Sequence, residues 1–415
     1  MKRASFFLLL CAVAFGIACG GSSAPKTSTG GKTSGIKYRV FVTNTYSGQM
    51  QIIDAATDVV STTNSISVGS QPTYMVPSVD SKYTVANTSN SQSVTSVENL
   101  TESAAQQTIF QNTVSSFVLS QDNKSGFAAI PNYQNSGGVL PGAVHAFNYI
   151  DGSTATVIPV PSVSWLAIDH AGKHILALTN NSDTAYWIDL TTVDLTQAVQ
   201  NVAVPIVGLT LNAAQSAFFS SDDSKVYILN CGPECGGSGS PSVTEFTVSS
   251  MTATGSVNVQ AARIGTMTNN TTLWVAGSPG GSGGAVQSVT LSSMTAGTPI
   301  TTGVSDGTKV VLRYLNNKLW LGSTSCTSSS CLTIIDPTGN TAKLGVPSSD
   351  PSVSQIPAGA PNAGDVTGMT YLSNRTMFYV VEGGHVHLYG DTGAQQTMLN
   401  NFLMTGKAYD VLAVQ

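Results

Sequence analysis

The sequence predicts an all-β fold, a β-propeller with eight four-stranded blades, and three observations carry that prediction. Turn signals and β-branched runs dominate residues 38–415, while helical periodicity is hard to find. A unit recurs at intervals of about forty to sixty residues: a strand ending in Asp or Asn, a tight turn, and a Tyr/Trp/Val-rich strand. The first unit lacks one strand and the chain ends on one extra strand, so the two ends complete each other and close a ring.

The first unit reads RVFVTN, a polar turn, QMQIID, the turn AATD, TTNSISV, the turn GSQP and TYMVPSV, after which KYTVANTS begins again. KYTVANTSNSQSVTSVEN echoes RVFVTNTYSGQMQIIDAA. This resembles the YVTN family of propeller repeats, found in surface-layer-like proteins and in relatives of the lactonase-type propeller. The likeness is close over the first fifty residues or so and degenerate afterwards. Further units begin at Lys124, Gly172, Ser224, Thr271, Asn317 and Asn374, which with starts near 37 and 81 makes eight. Asp54, Asp189 and Asp336 recur at one place in the unit, where an Asp side chain can bond its own backbone and close a turn. With strands lettered A, innermost, to D, the chain starts on a strand B and ends on a strand A, Lys407–Gln415. Seven blades is the alternative count, because residues 196–216 and 340–366 are poorly phased.

Ahead of the repeats, Lys2 and Arg3 precede an uncharged apolar run from Ala4 to Ile17. That run suits an export signal and is short for a membrane span, which needs about 20 residues. GIAC, Gly16 to Cys19, resembles a bacterial lipobox, with Gly16 where that family usually has Leu. The resemblance implies a signal peptide over 1–18 and a lipid on Cys19; an ordinary secretory signal is the alternative. Residues 19–37, rich in Gly, Ser and Thr, then read as a flexible tether. Residues 38–415 form a single propeller domain. The expected location is the bacterial cell envelope, anchored to the outer membrane by the N-terminal lipid alone.

Only 9% of residues are charged, against about 25% in ordinary domains, and the net charge of −5 includes no basic block. Nucleic-acid binding is therefore not expected. Apolar content is ordinary at 41%, which argues against disorder.

Insertions concentrate in one class of connection. In a propeller the B–C and D–A loops share one face. B–C loops here carry PNYQNSGGVLPG, CGPECGGSGSP, SPGGSGG and STSCTSSSC, and Pro347–Gly364 is a long D–A loop. Loops on a rigid scaffold are where binding concentrates. Tyr133, Asn135, Glu234, Asp350 and Gln355 are the candidate binding residues on that face. Cys231 with Cys235, and Cys326 with Cys331, each lie inside one such loop of an exported chain, which favours two local disulfides. Free or redox thiols and a shared metal site are the alternatives, although neither spacing is the CxxC of zinc ribbons.

His385 and His387 alternate on one strand and could share a metal with Glu382; packing between blades is the competing reading. GGSGG at Gly280–Gly284 spells a nucleophile-elbow pattern but sits in a glycine loop. Trp165, Trp187, Trp274 and Trp320 are expected to pack between blades. No cofactor and no catalytic cluster is expected. The functional expectation is a non-catalytic binding or scaffold module for an envelope protein or glycan. The alternatives are a lactonase-like hydrolase at the channel mouth and a surface-layer or adhesive component.

Overall fold

Each repeat start becomes a strand that is covered on both faces. Arg39–Asn44, Tyr83–Thr88, Ser125–Ile130, His174–Thr179, Lys225–Asn230, Thr272–Gly277, Lys318–Thr324 and Met377–Glu382 are buried over nearly their whole lengths. They are the B strands in a computed structural model that describes residues 34–414, apart from 89–91, 136–137, 181–183, 280–282, 328–329, 346–363, 392–395, 403 and 405. The predicted signal peptide and Cys19 lie outside the described residues, as do Asp350 and Gln355.

The described residues form eight antiparallel four-stranded blades, each in the order A-B-C-D. Seven blades take strand A from their own repeat: Pro72–Pro77, Ser116–Leu119, Val163–Ile168, Ala214–Phe219, Ile264–Thr268, Thr308–Leu315 and Val366–Leu372. Blade 1 takes its strand A from the other end of the chain, Ala408–Val414, which pairs with Arg39–Asn44 so that Val411 faces Val42. The count is therefore eight. The poor phasing near residue 200 has a local cause: strand D of blade 4 is only Val204–Pro205, reached through a 3-10 turn at Leu190–Thr192. Blade 3 adds a hairpin, Tyr133–Asn135 against Gly138–Leu140, inside its B–C loop.

The core is a ring of clusters, one at each blade–blade interface. Between blades 7 and 8, fully buried Trp320 stacks on Phe378 with centroids 3.9 Å apart. Between blades 2 and 3, Tyr74 stacks on Phe117 at 5.2 Å. Burying one such side chain contributes about 1.5–3 kcal/mol. Trp187, Trp274 and Trp320 join these clusters as expected. Trp165 does not: it sits on strand A of blade 4 and keeps 41% of its surface exposed. The innermost strand of a blade borders the central channel, so a residue on its inward edge has no neighbouring blade to cover it.

The repeated Asp residues do close turns. Asp54, Asp189 and Asp336 accept from the backbone N–H groups of Ala56, Thr191 and Thr338, each at 2.9 Å.

Strand A carries a second recurrent feature, an extra residue near its start that breaks register with strand B. It occurs at Ser164, Gln215, Val310, Thr367 and Tyr409, and within Thr73–Tyr74. Such bulges bend a strand and re-aim its side chains. Three of them also bind the previous blade: Thr43 Oγ1 donates to Thr73 O at 2.7 Å, Ser115 Oγ to Ser164 O at 2.8 Å, and Thr367 Oγ1 to Tyr409 O.

Ring closure is reinforced at both ends of the terminal strand. Arg375 in blade 8 clasps Asp58 in blade 1 with two bonds of 2.6 and 2.8 Å, and Tyr379 OH adds a third at 3.0 Å. On the C-terminal strand, Asp410 accepts from the backbone N–H groups of Met75 and Val411, both at 2.8 Å, tying blade 1 to blade 2. Burial pushes the Asp410 carboxyl up to about 6, against the pull of those two donors. Its folded-state value thus lies above the unfolded value near 3.8, and protonation favours the fold. The protein should therefore lose stability as pH rises from about 4 to 6, by up to about 3 kcal/mol from this group. Urea titrations across that range should show a flatter pH slope for Asp410→Asn than for wild type. Parallel slopes would assign the pH dependence elsewhere.

Candidate functional site

The B–C and D–A loops of blades 5, 6 and 7 enclose a cleft of about 790 Å³. Its wall on blade 5 is the short 3-10 turn Gly232–Cys235, which carries Glu234. A disulfide between Cys231 and Cys235, with Cα atoms 5.7 Å apart, closes that turn. The opposite wall is the blade 7 loop carrying Thr327, closed by a disulfide between Cys326 and Cys331 with the same Cα separation. The two thiol pairs are thus separate local staples with a blade between them, and they frame one cleft.

Glu234 is positioned rather than free. Its Oε2 accepts from the Ser278 backbone N–H at 2.7 Å, and its Oε1 lies 3.8 Å from the Arg263 guanidinium. Gly277 permits this approach, since a Cβ there would sit 2.4 Å from Glu234 Oε2. Arg263, just before strand A of blade 6, also reaches Cys235 Sγ at 3.6 Å. On the far wall, Asp306 accepts from the Thr327 backbone N–H at 3.2 and 3.0 Å and from its hydroxyl. Asp306 belongs to the D–A connection Ser305–Gly307, and Ser278 Oγ donates to Gly307 O at 2.6 Å. Beneath that connection lies Lys309, fully buried.

Ser325 also lines a second cavity, of about 290 Å³, over blades 7, 8 and 1. That cavity is lined by Asp365, Lys407 and the bulged residues Val310, Thr367 and Tyr409. Bulging leaves Val310 40% exposed.

Of the sequence-derived candidates among the described residues, Glu234 enters the cleft, and Tyr133 and Asn135 do not. Tyr133 is turned inward: it is buried, in edge-to-face contact with His145 at 5.6 Å, so it packs the B–C hairpin instead of presenting itself to a ligand. Asn135 pairs with Gly138 in the same hairpin, on blade 3 and away from the cleft. The HVH strand does not assemble a metal site. His387 Nδ1 lies 3.0 Å from Glu382 Oε2, which also accepts from Tyr389 OH at 2.8 Å, while His385 Nδ1 accepts from the Met404 N–H at 3.0 Å. Among the described residues no group of three His, Cys, Asp or Glu side chains is disposed to hold a metal. Arg263 and Asp306 escaped sequence reasoning because the D–A connections carry no pattern of their own, and Lys309 because nothing in strand A marks a lysine for burial.

No protein-family model and no curated protein matches the sequence. Solved structures do match in shape. The dihydro-heme d1 dehydrogenase NirN in complex with DHE aligns at TM-score 0.67 and 11% identity, over 91% of this chain and 75% of that one. The Dos1 propeller aligns at TM-score 0.55 and 11% identity, over 81% and 85%. A provisionally named 6-phosphogluconolactonase from Bacteroides fragilis aligns at TM-score 0.52 and 13% identity, over 92% and 99%. At these identities the likeness establishes the propeller fold and nothing finer.

The staples should shape the cleft more than they stabilise the ring. Loops this short contribute about 2 kcal/mol or less in the chain-entropy picture. Replacing Cys231 and Cys235 with serine should therefore lower the unfolding free energy by no more than that, while changing the exposure of Glu234. Denaturant titration checks the stability change and carboxyl labelling of Glu234 checks its exposure; in non-reducing maps of the wild type, a peptide linking Cys235 to Cys326 would contradict the local pairing.

Proposed function

We propose that this protein is a non-catalytic binding module of the cell envelope that holds a hydroxyl-rich ligand, a glycan chain, in the cleft over blades 5 to 7. One observation carries the reading: each charged side chain lining the cleft is already engaged by a protein group. Glu234 is bonded to Ser278 and lies near Arg263, and Asp306 is bonded to Thr327. Charges held in this way form a fixed pattern of dipoles. Beside the hydroxyls of Ser278, Thr308, Ser325 and Thr327, they suit a neutral polyhydroxyl ligand. A second cavity sharing Ser325 and reaching Tyr409 suits a chain longer than one or two sugars. The YVTN likeness accords with an envelope role, and the lactonase-like alternative would place a hydrolase at the channel mouth.

Calorimetric titration with envelope-derived oligosaccharides of increasing length tests the reading. Affinity should rise with chain length, and Thr327→Trp, which fills the cleft, should weaken binding at least about tenfold with the melting temperature unchanged. Binding indifferent to Thr327→Trp would remove the cleft from the account, and turnover of a sugar lactone by the purified protein would favour the hydrolase.

Anchoring through Cys19 belongs to the same proposal. The described residues contain no helix long and apolar enough to cross a membrane. A single lipidated terminus followed by the Gly/Ser/Thr tether would hold the propeller at the membrane surface. Mass spectrometry of the protein extracted from its native envelope should find diacylglycerol on Cys19, and Cys19→Ser should release the protein into the soluble fraction. An unmodified terminus refutes the anchor.

A further inference from the structure

Lys309 has an unusual set of partners for a buried lysine. It is the second residue of strand A in blade 7 and has no exposed surface. Its ammonium lies 2.7 Å from Ser305 O, 3.2 Å from Asp306 O, 2.8 Å from Gly307 O and 3.2 Å from Ser278 Oγ. All four partners are neutral oxygens, and three are carbonyls of consecutive residues converging on one point. Gly307 makes that convergence possible: it has φ +78°, and a Cβ there would lie 2.4 Å from Thr324 O. Rings of main-chain carbonyls that replace a hydration shell are how proteins hold bare monovalent cations. The carboxylates facing the ammonium are Glu234, from blade 5, and Asp306, from its own loop; burial nonetheless pulls the amine down to about 8.

We propose that Lys309 acts as a tethered monovalent cation: its ammonium fills a carbonyl site that fixes Ser305–Gly307 as the floor of the cleft, and a free cation can take that site when the side chain is removed. The site recognises ammonium-like and potassium-like ions, because the atoms in direct contact are neutral oxygens, with the Glu234 and Asp306 carboxylates beyond them. Whatever the cleft binds, this floor decides where Asp306 stands, and Asp306 in turn holds Thr327 of the stapled blade 7 loop. Lys309 is a positioning residue. It is shielded from any ligand by the loop it supports.

The test follows the backbone amide resonances of Gly307 and Thr308 in selectively labelled protein. In Lys309→Ala at low salt these signals should move away from their wild-type positions. Ammonium or methylammonium chloride should restore at least half of the displacement, while tetramethylammonium chloride at equal concentration should restore none. Equal responses to all three salts overturn the proposal. If Lys309→Ala does not fold, its refolding yield in methylammonium against tetramethylammonium makes the same decision. Lys309→Met separates this role from simple stability. It keeps the apolar stem and removes only the ammonium, so three buried carbonyls lose their donor and the two amides should still be displaced whatever the melting temperature does; wild-type signals in that variant also overturn the proposal. In the wild type, the Asp306 and Gly307 amides should shift together as pH rises through about 8; signals that stay still up to pH 10 count against it.

Discussion

Every blade of this protein must be covered on both faces by its neighbours, and most of the chain's character follows from that constraint. A sheet exposed on one side can alternate polar and apolar residues. Strands B and C here cannot. Thr43, Asn44, Thr84, Asn87, Thr95 and Thr244 are buried beside Val, Ile and Phe, and they are small neutral polar residues, of which Thr43 and Thr95 bond across to a neighbouring blade. A charged side chain in such a place would need a partner or would shift its protonation. The low charge content is thus a consequence of face-to-face packing around a closed ring, in which every sheet surface is an interface.

Closure sets the mechanical frame. The C-terminal strand is the inner edge of blade 1, so the chain ends hold each other in place. Asp410 and the Arg375–Asp58 clasp fasten that joint to blades 2 and 8. With every blade complete at four strands, the ring tolerates insertions in the loops of one face. The two disulfides act at this level. They restrict loops that the ring supports, and so turn an insertion into a wall of fixed shape.

The cleft depends on contacts that cross blades. Glu234 comes from blade 5, the N–H that fixes it comes from blade 6, and Asp306 connects blade 6 to blade 7. Lys309 closes the floor from below, binding a loop and a serine from the neighbouring blade. Moving any one of these residues alters what the others present.

Repeat starts were legible because strand B has a strong requirement: one side of it faces each neighbouring blade, so it needs Val, Ile, Leu or aromatic residues with a tight turn in front. Asp54, Asp189 and Asp336 were legible because a turn closed by its own side chain is a local event. The two cysteine pairs were legible because each lies inside one short loop, which holds its two thiols within bonding reach. The bulges at Gln215, Val310 and Tyr409, the exposure of Trp165 and the inward turn of Tyr133 were not, since each depends on where a strand lies relative to the channel or a neighbouring hairpin. The sequence by itself determined an eight-blade ring with stapled loops, because those features rest on patterns within one repeat. Only the tertiary structure decided that Glu234, Arg263, Asp306 and Lys309 meet, because their contacts join blades and no single repeat contains them.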